Sequence, residues 1–202
     1  MNGAVDPLAH GWWLASRASG IVALALMTAS VIVGLTIGVR FAMHLPKRIR
    51  PTLRAEPRLL ARAHEQLAVI SLIAVGVHGL TLLGDAWLRP SLPDIAVPFL
   101  IDYKPVFVGL GIVGGYIAAL LGLSYFFRRR IGVARWKRVH RFTIAGWALA
   151  VLHTLGAGTD TTDGWLFWPV IGSSVLVALL FAARMAEVGM PGRRTAGASQ
   201  AA

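Results

Sequence analysis

Five stretches of the chain are almost wholly apolar, and each is about as long as a membrane-spanning helix, which needs about 20 such residues. The pattern therefore predicts an all-α fold, an integral membrane bundle of five transmembrane helices. The predicted spans are approximately 19–41, 64–86, 105–127, 139–157 and 165–187. The connections between them are short, so the chain is expected to form one bundle with no separate soluble domain.

The composition supports this prediction and excludes several other classes of protein. Of the 202 residues, 56% are hydrophobic and only 14% are charged, whereas soluble domains are about 25% charged. Intrinsic disorder requires low hydrophobicity and is excluded. The chain contains no cysteine, which excludes disulfide frameworks, zinc–thiolate sites and cysteine nucleophiles.

The net charge of +11 is distributed unevenly along the chain. Seventeen of the 20 Lys and Arg residues lie in 40–62, in 128–141 and near the C-terminal end, and the alternate connections hold only Arg17, Arg89 and Lys104. Cytoplasmic loops are enriched in basic residues, so we predict an external N-terminus and a cytoplasmic C-terminus. Because the charges separate apolar runs rather than forming one basic face, nucleic acid is not an expected partner; membrane lipid is.

The predicted organisation has three parts. Residues 1–11 form an external N-terminal segment, 12–187 form the transmembrane domain, and 188–202 form a disordered cytoplasmic tail. The first external loop, 87–104, contains three prolines around an apolar stretch that is too short to span the membrane. Two interpretations stay open for it, a lid on the outer surface and ordinary interfacial packing.

Four histidines lie inside the predicted spans, where ionisable residues are costly and therefore candidates for function. His64 and His78 are fourteen residues apart on the second span, and His140 and His153 are thirteen apart on the fourth. Both spans run outward, so His64 and His140 share an inner depth, and His78 and His153 share an outer one. At 1.5 Å per residue the two depths differ by about 20 Å. His10 and His44 lie outside this pattern and are interpreted as interfacial side chains.

Two imidazoles at one depth on two helices suit the two axial positions of a haem iron. The sequence therefore predicts an inner haem held by His64 and His140 and an outer haem held by His78 and His153. The second nitrogen of each ring needs a hydrogen-bond partner, and nearby hydroxyl groups are candidates. Glycines that flank the outer ligands are candidates for close approach of the haem. The candidate hydroxyl groups belong to Ser71, Thr81, Thr143 and Thr154, and the glycines are Gly76, Gly79, Gly146 and Gly156.

The thirteen-residue spacing is a geometric problem. On an ideal helix fourteen residues return within about 40° of the same face, whereas thirteen leave an angle of about 140°. The fourth helix is therefore expected to be distorted, to cross steeply, or to use different rotamers for His140 and His153.

The two histidine spacings resemble those of the ferric reductase-like transmembrane domain family. This family includes the membrane parts of NADPH oxidases and ferric reductases, and the haem subunit of the bacterial methionine sulfoxide reductase system. The resemblance covers roughly 12–187, and its implications are two b-type haems and a plasma-membrane location. The segment Ser16-Arg17-Ala18-Ser19-Gly20 resembles the family's helix before the first histidine pair, which implies a haem propionate partner in Arg17. The run from Leu155 to Asp160 resembles short actinobacterial members.

The chain also departs from that family. The oxidases and ferric reductases usually have a sixth helix, followed by FAD- and NADPH-binding domains. The only glycine-rich candidate, Gly109 to Gly115, is within a span rather than between a strand and a helix, so it is not a dinucleotide fingerprint. Its Gly111 and Gly115, like Gly34 and Gly38, have the spacing of a helix-packing face. The electron donor is therefore expected to be a separate flavin reductase or a membrane quinol.

Three functional hypotheses remain. The first is transmembrane electron transfer from a cytoplasmic or quinol donor to an external acceptor, with Arg62, Arg138 and Arg141 as candidate partners of the inner haem propionates. The second is a haem-binding subunit that passes electrons to a separate external reductase. The third is a haem-free transporter or structural bundle. Whether the chain is an oxidoreductase or an electron-transfer component stays open between the first two.

Overall fold

The computed structural model describes residues 10–38, 57–161 and 164–189. Within these ranges all regular structure is helical and no strand is present. The helices are α1 (Gly11–Gly38), α2 (Pro57–Leu82), α3 (Leu92–Ala96), α4 (Pro105–Leu123), α5 (Arg128–Ile131), α6 (Val133–His140), α7 (Thr143–Ala157) and α8 (Phe167–Gly189), with a 3₁₀ segment at Ser124–Phe127. Residues 1–9 of the predicted N-terminal segment, residues 40–56 of the basic connection with His44 among them, and most of the predicted tail 188–202 lie outside the described residues.

Four helical segments in the described part of the chain are long and apolar enough to cross a membrane. They are Gly11–Ile37, Arg58–Leu82, Pro105–Ile131 and Phe167–Ala186, and they correspond to the first, second, third and fifth predicted spans. The prediction of an all-α fold is thus confirmed for the described residues, and four of the five predicted spans are helices long and apolar enough to cross a membrane.

The fourth predicted span, 139–157, has a different form. Its continuous helix is α7, which has 15 residues. At 1.5 Å per residue α7 is about 22 Å long, less than the hydrocarbon thickness of about 30 Å. The remaining residues of the predicted span belong to the turn 141–142 and to the end of α6.

The first two helices begin earlier than the hydropathy pattern predicts. α1 begins at Gly11 rather than at residue 19, and α2 begins at Pro57 rather than at residue 64. In α1 the polar residues of the first turns have partners, since Ser16 donates to the His78 carbonyl and Arg17 to Asp160. In α2 proline at the first helical position has no N–H that would need a partner. Hydropathy therefore located the apolar centre of each helix and not its polar end.

The helices pack mainly in two pairs. α1 lies along α2, α4 lies along α7, and α8 packs against α1; the two pairs approach each other much less closely. The buried side chains of the core include Met27, Trp147, Val151 and Val177. The Trp147 indole donates a hydrogen bond to the Thr28 hydroxyl at 3.0 Å. The N–H group of this buried ring therefore has a partner.

Glycines permit the close approach of α4 and α7, but at different positions from those predicted. A Cβ added at Gly114 would lie 2.9 Å from the Gly146 carbonyl oxygen, and one at Gly146 would lie 3.0 Å from that of Gly114. At Gly115 it would make only an ordinary contact, 3.6 Å from Val75. The helix contact is thus made by Gly114, because the side chain opposite Gly111 belongs to a histidine described below.

The connection 87–104 is bonded to the interior of α4 and to the end of α7. Its short helix α3 has a capping box between Ser91 and Asp94, and the hydrogen bonds from Ser91 hold the pKa of the Asp94 carboxyl below its usual value. The Tyr116 hydroxyl donates to the Ala96 carbonyl at 2.5 Å, and the Lys104 ammonium donates to the Gly156 carbonyl at 2.9 Å. This connection therefore packs on the bundle through several specific bonds.

Candidate functional site

The four predicted ligands meet in space as two pairs. The ring centroids of His64 and His140 are 6.1 Å apart, with an interplanar angle of 86°. Those of His78 and His153 are also 6.1 Å apart, at 70°. We keep the names inner pair and outer pair for them, from the predicted orientation. In each pair one ring comes from α2 and the other from the region of α6 and α7, so the rings bridge the two helix pairs.

Three of the four rings are oriented by a backbone carbonyl. The Nδ1 atoms of His64 and His78 lie 2.8 Å from the carbonyl oxygens of Ser30 and Ser16. The Nδ1 atom of His153 lies 2.9 Å from the Phe107 carbonyl oxygen. A carbonyl can only accept a hydrogen bond, so each of these Nδ1 atoms carries the proton. The Nε2 atom is then left with its lone pair, which is the form that binds a metal.

These bonds correct the prediction about the second ring nitrogen. The hydroxyl groups of Ser71, Thr81 and Thr143 donate instead to carbonyls of their own or the adjoining helix, at Ala68, Val77 and His140. The ring partners are carbonyls of α1 and α4. The prediction is wrong for these three residues, because a hydroxyl group inside a helix donates its hydrogen bond to a carbonyl of the preceding turn.

The glycines that contact the rings also differ from those predicted. A Cβ added at Gly20 would lie 2.9 Å from His78 Nδ1, one at Gly34 would lie 2.9 Å from His64 Cε1, and one at Gly111 would lie 2.6 Å from His153 Cγ. All three positions therefore require the absence of a side chain.

The four glycines predicted from sequence divide into two kinds. Gly76 and Gly79 have nothing within 4 Å of an added Cβ, so open space adjoins them as a bound haem would require. Gly146 and Gly156 do not adjoin open space, because Gly114 fills it at the first and the Phe107 ring fills it at the second.

A fourteen-residue repeat on α1 explains why His64 and His78 have the same surroundings. Ser16 and Gly20 contact His78, and Ser30 and Gly34 contact His64. The two Ser-x3-Gly motifs are fourteen residues apart, as are the two histidines, and α1 runs antiparallel to α2. The repeat is present in the sequence as Ser16 to Gly20 and Ser30 to Gly34, and a role for the second copy was not predicted.

An interrupted helix accommodates the thirteen-residue spacing between His140 and His153. α6 ends at His140 and α7 begins at Thr143, and the intervening backbone bonds are of the tighter 3₁₀ type, such as Phe142 N–H to the Val139 carbonyl at 3.0 Å. Of the three explanations offered by the sequence, distortion of the helix is confirmed. The interruption turns His140 toward His64 although it is not on the His153 face of an ideal helix.

His140 differs from the other three histidines in its contacts. Its Nδ1 atom is 3.4 Å from the Leu121 carbonyl oxygen, longer than an ordinary N–H to oxygen bond of about 2.9 Å. The indole of Trp136 stacks on its ring, with centroids 4.8 Å apart and an interplanar angle of 26°. Trp136 was not among the functional residues predicted from sequence; its spacing of one helical turn before His140 was the available signal.

Arg17, the predicted propionate partner of the outer haem, forms an ion pair. Its guanidinium bonds to both carboxylate oxygens of Asp160, with Nε at 2.8 Å from Oδ2, and lies 4.0 Å from the centre of the Trp13 ring. The hydrogen bond from Arg17 holds the pKa of Asp160 below its usual value. A guanidinium has further N–H donors, so its contact with a propionate stays a prediction.

The three predicted propionate partners of the inner haem, Arg62, Arg138 and Arg141, all have exposed side chains. Arg62 lies on α2 two residues before His64, and Arg138 and Arg141 flank His140 at the end of α6. The structure thus places them at the same end of the bundle as the inner pair, and their role stays a prediction.

The ring separation in each pair is compatible with a haem held between two imidazoles. With metal–nitrogen bonds of about 2 Å, two imidazoles that share one metal through Nε2 have centroids about 6 Å apart. In the described ranges no group of three or more His, Asp or Glu side chains is arranged to hold a bare metal ion. A haem needs only two protein ligands, because the porphyrin supplies the other four. Two histidines that face each other are the protein ligands that a haem would need, so the residues present fit that group.

Comparison with known proteins adds no identification. No family model matches the chain, and neither a curated protein nor a solved structure matches it.

Proposed function

We propose that this chain is a membrane cytochrome that carries electrons across the bilayer through two b-type haems, one at each histidine pair. The observation that carries the proposal is the recurrence of one ring geometry at two levels, with centroids 6.1 Å apart in both cases. Three of the four Nδ1 atoms are held by carbonyls at 2.8–2.9 Å. Histidines used only for packing or proton transfer would not require this arrangement twice.

The proposal includes the topology expected from the charges. The chain would cross the plasma membrane five times, with the shorter α7 and the end of α6 forming the fourth crossing and the N-terminus outside. The inner pair would then lie near the cytoplasm, where a flavin reductase or a membrane quinol would donate electrons, and the outer pair would face the acceptor. Kinship with ferric reductase-like transmembrane domains is part of the same proposal.

The residues have separable roles in this function. The four histidines would hold the irons, and the carbonyls of α1 and α4 keep their ring tautomers and raise their basicity. The buried core includes Trp147 and Val151, which lie between His140 and His153 along the chain. Haem b supplies reversible one-electron chemistry when bound. With two histidines holding each haem, the chain's own residues would leave no position at the iron for an external acceptor.

A visible spectrum of the purified protein tests the proposal. The reduced-minus-oxidised spectrum is expected to show a b-type α-band, and pyridine haemochrome quantification is expected to give about two haems per chain. A colourless protein, or one that stays without haem after expression with added haem precursor, would overturn the proposal in favour of the haem-free bundle.

A further inference from the structure

His140 is the histidine that the backbone restrains least. It is the last residue of α6, its Nδ1 contact with the Leu121 carbonyl is the longest of the four, and no glycine contacts its ring among those described. A ligand in this position needs some other restraint to face His64 in a single orientation.

The indole of Trp136 is placed to supply that restraint. It stacks on the His140 ring at 4.8 Å, and its Nε1–H donates to the Ser124 hydroxyl at 3.0 Å. The hydroxyl belongs to the 3₁₀ segment that follows α4. Trp136 is therefore fixed at its polar edge by a different element, while its face determines the plane of the His140 ring.

The same group of residues reaches the helix of the opposing ligand. The Tyr125 ring contacts Trp136 edge to face, with centroids 5.8 Å apart, and its hydroxyl donates to Glu65 Oε2 at 3.0 Å. Glu65 adjoins His64 on α2. Tyr125 is also fourteen residues after Gly111, so it occupies the position where the outer level has the glycine that contacts His153.

We propose that Trp136, supported by Ser124 and by the Tyr125–Glu65 bond, is a positioning residue that holds the His140 ring as an inner-haem ligand. This proposal rests on the proposed function, because it assigns a role toward a haem at the inner pair. At the outer pair short carbonyl bonds and glycine contacts hold the rings in place. At His140 aromatic stacking replaces these contacts. Weakening the stack is expected to let His140 leave the iron.

Carbon monoxide binding to the reduced, haem-loaded protein measures that loss. Carbon monoxide binds ferrous haem only at an open axial position, so the wild-type protein with two histidine ligands per iron is expected to bind almost none. Trp136→Leu is expected to bind about one carbon monoxide per chain, because the inner iron loses one ligand. Its difference spectrum should match that of His140→Ala. Trp168→Leu is the matched control, since Trp168 is exposed on α8 and contacts Phe167.

Two milder variants keep the proposal testable if Trp136→Leu does not accumulate. Trp136→Phe keeps a ring on His140 but lacks the bond to Ser124, and Tyr125→Phe lacks the bond to Glu65. Both are expected to bind carbon monoxide to an extent between wild type and His140→Ala. If these variants bind no more than Trp168→Leu while wild type holds two six-coordinate haems, the positioning role is wrong and the proposed function stands. If wild type takes up no haem, the proposed function itself fails.

Discussion

The outer and inner pairs have the same ring separation but achieve it by different means. At the outer pair both rings are bonded to carbonyls at 2.8 and 2.9 Å, and both lie against glycines. At the inner pair only His64 has these contacts, whereas His140 has a carbonyl contact of 3.4 Å and a stacked tryptophan. The contacts of α1 with His78 are thus repeated fourteen residues along α1 with His64. The contacts of α4 with His153 are not repeated at His140.

The difference shows what each kind of restraint requires. A carbonyl and a glycine restrain a ring through the backbone, so they work wherever two long helices pack closely, as α1 and α2 do. The interruption after His140 removes that possibility on the other side, because α6 is no longer part of the helix that packs on α4. A side-chain stack takes its place. Substitution of the stacked side chain is therefore expected to disturb the inner pair, whereas the outer pair does not depend on such a side chain.

The largest expected effect comes from removing both ligands at one level. The double variant His78→Leu/His153→Leu is expected to remove the outer haem and leave the inner one, and His64→Leu/His140→Leu the reverse, so pyridine haemochrome content falls from about two to about one per chain in either variant. His10→Leu, at an exposed position before α1, should keep the wild-type content. Loss of both haems from each variant, or of neither, would show that the two pairs are not independent sites.

The next largest effect is expected from a side chain at Gly111. In Gly111→Ala the new Cβ would lie 2.6 Å from His153 Cγ, so the ring or the helix must move and the outer haem is expected to be lost from much of the protein. Gly172→Ala is the control, since nothing lies within 4 Å of its Cβ and alanine favours the helix by about 1 kcal/mol. Equal haem content in the two variants would contradict the assigned contact.

A smaller, pH-dependent effect is expected from the Arg17–Asp160 pair near the outer level. Arg17 lowers the pKa of Asp160 below the value of about 3.9 in an unfolded chain. The pair's stabilisation is therefore fully present above that value and is lost as the pH falls through the lowered pKa. Asp160→Asn is expected to lower the free energy of unfolding at pH 7 by about 1 kcal/mol, because the guanidinium is still partly exposed.

Thermal unfolding in detergent at several pH values measures this effect. The difference in Tm between wild type and Asp160→Asn should narrow as the pH falls below about 4. Asp102→Asn, at an exposed carboxylate in the loop before α4, is the control and should not show this narrowing. A difference in Tm that stays constant down to the lowest pH would show that the charge of the Asp160 carboxylate does not stabilise the protein.

The smallest effect is expected at the two serines of the α1 repeat. Their hydroxyl oxygens lie 3.2 and 3.0 Å from the Nδ1 atoms of His78 and His64, but the backbone carbonyls make the shorter bonds. Ser16→Ala and Ser30→Ala should therefore keep both haems and each lower stability by about 0.5–1 kcal/mol. The loss of stability should be similar in the two variants, because the two Ser-x3-Gly motifs have the same contacts. A clear difference between them would show that the levels differ on the α1 side as well.

Much of the arrangement followed from sequence because it depends on local composition. Apolar runs predict membrane-length helices whatever their neighbours, and equal depth on parallel spans brought His64 together with His140 and His78 with His153. The ring partners and most of the contacting glycines were not predicted. They belong to α1 and α4, far from the histidines in sequence, and only the packing of antiparallel helices brings Ser16 to His78.

The sequence by itself determined the helical class, the approximate centres of the spans and the matched depths of four histidines, since hydrophobicity and the 1.5 Å rise act along a single helix. The tertiary structure decided which backbone groups orient the rings, where the fourth predicted span is interrupted, and that Trp136 lies on His140. These depend on which helices pack together and how closely, and a linear pattern of apolar and polar residues does not contain that information.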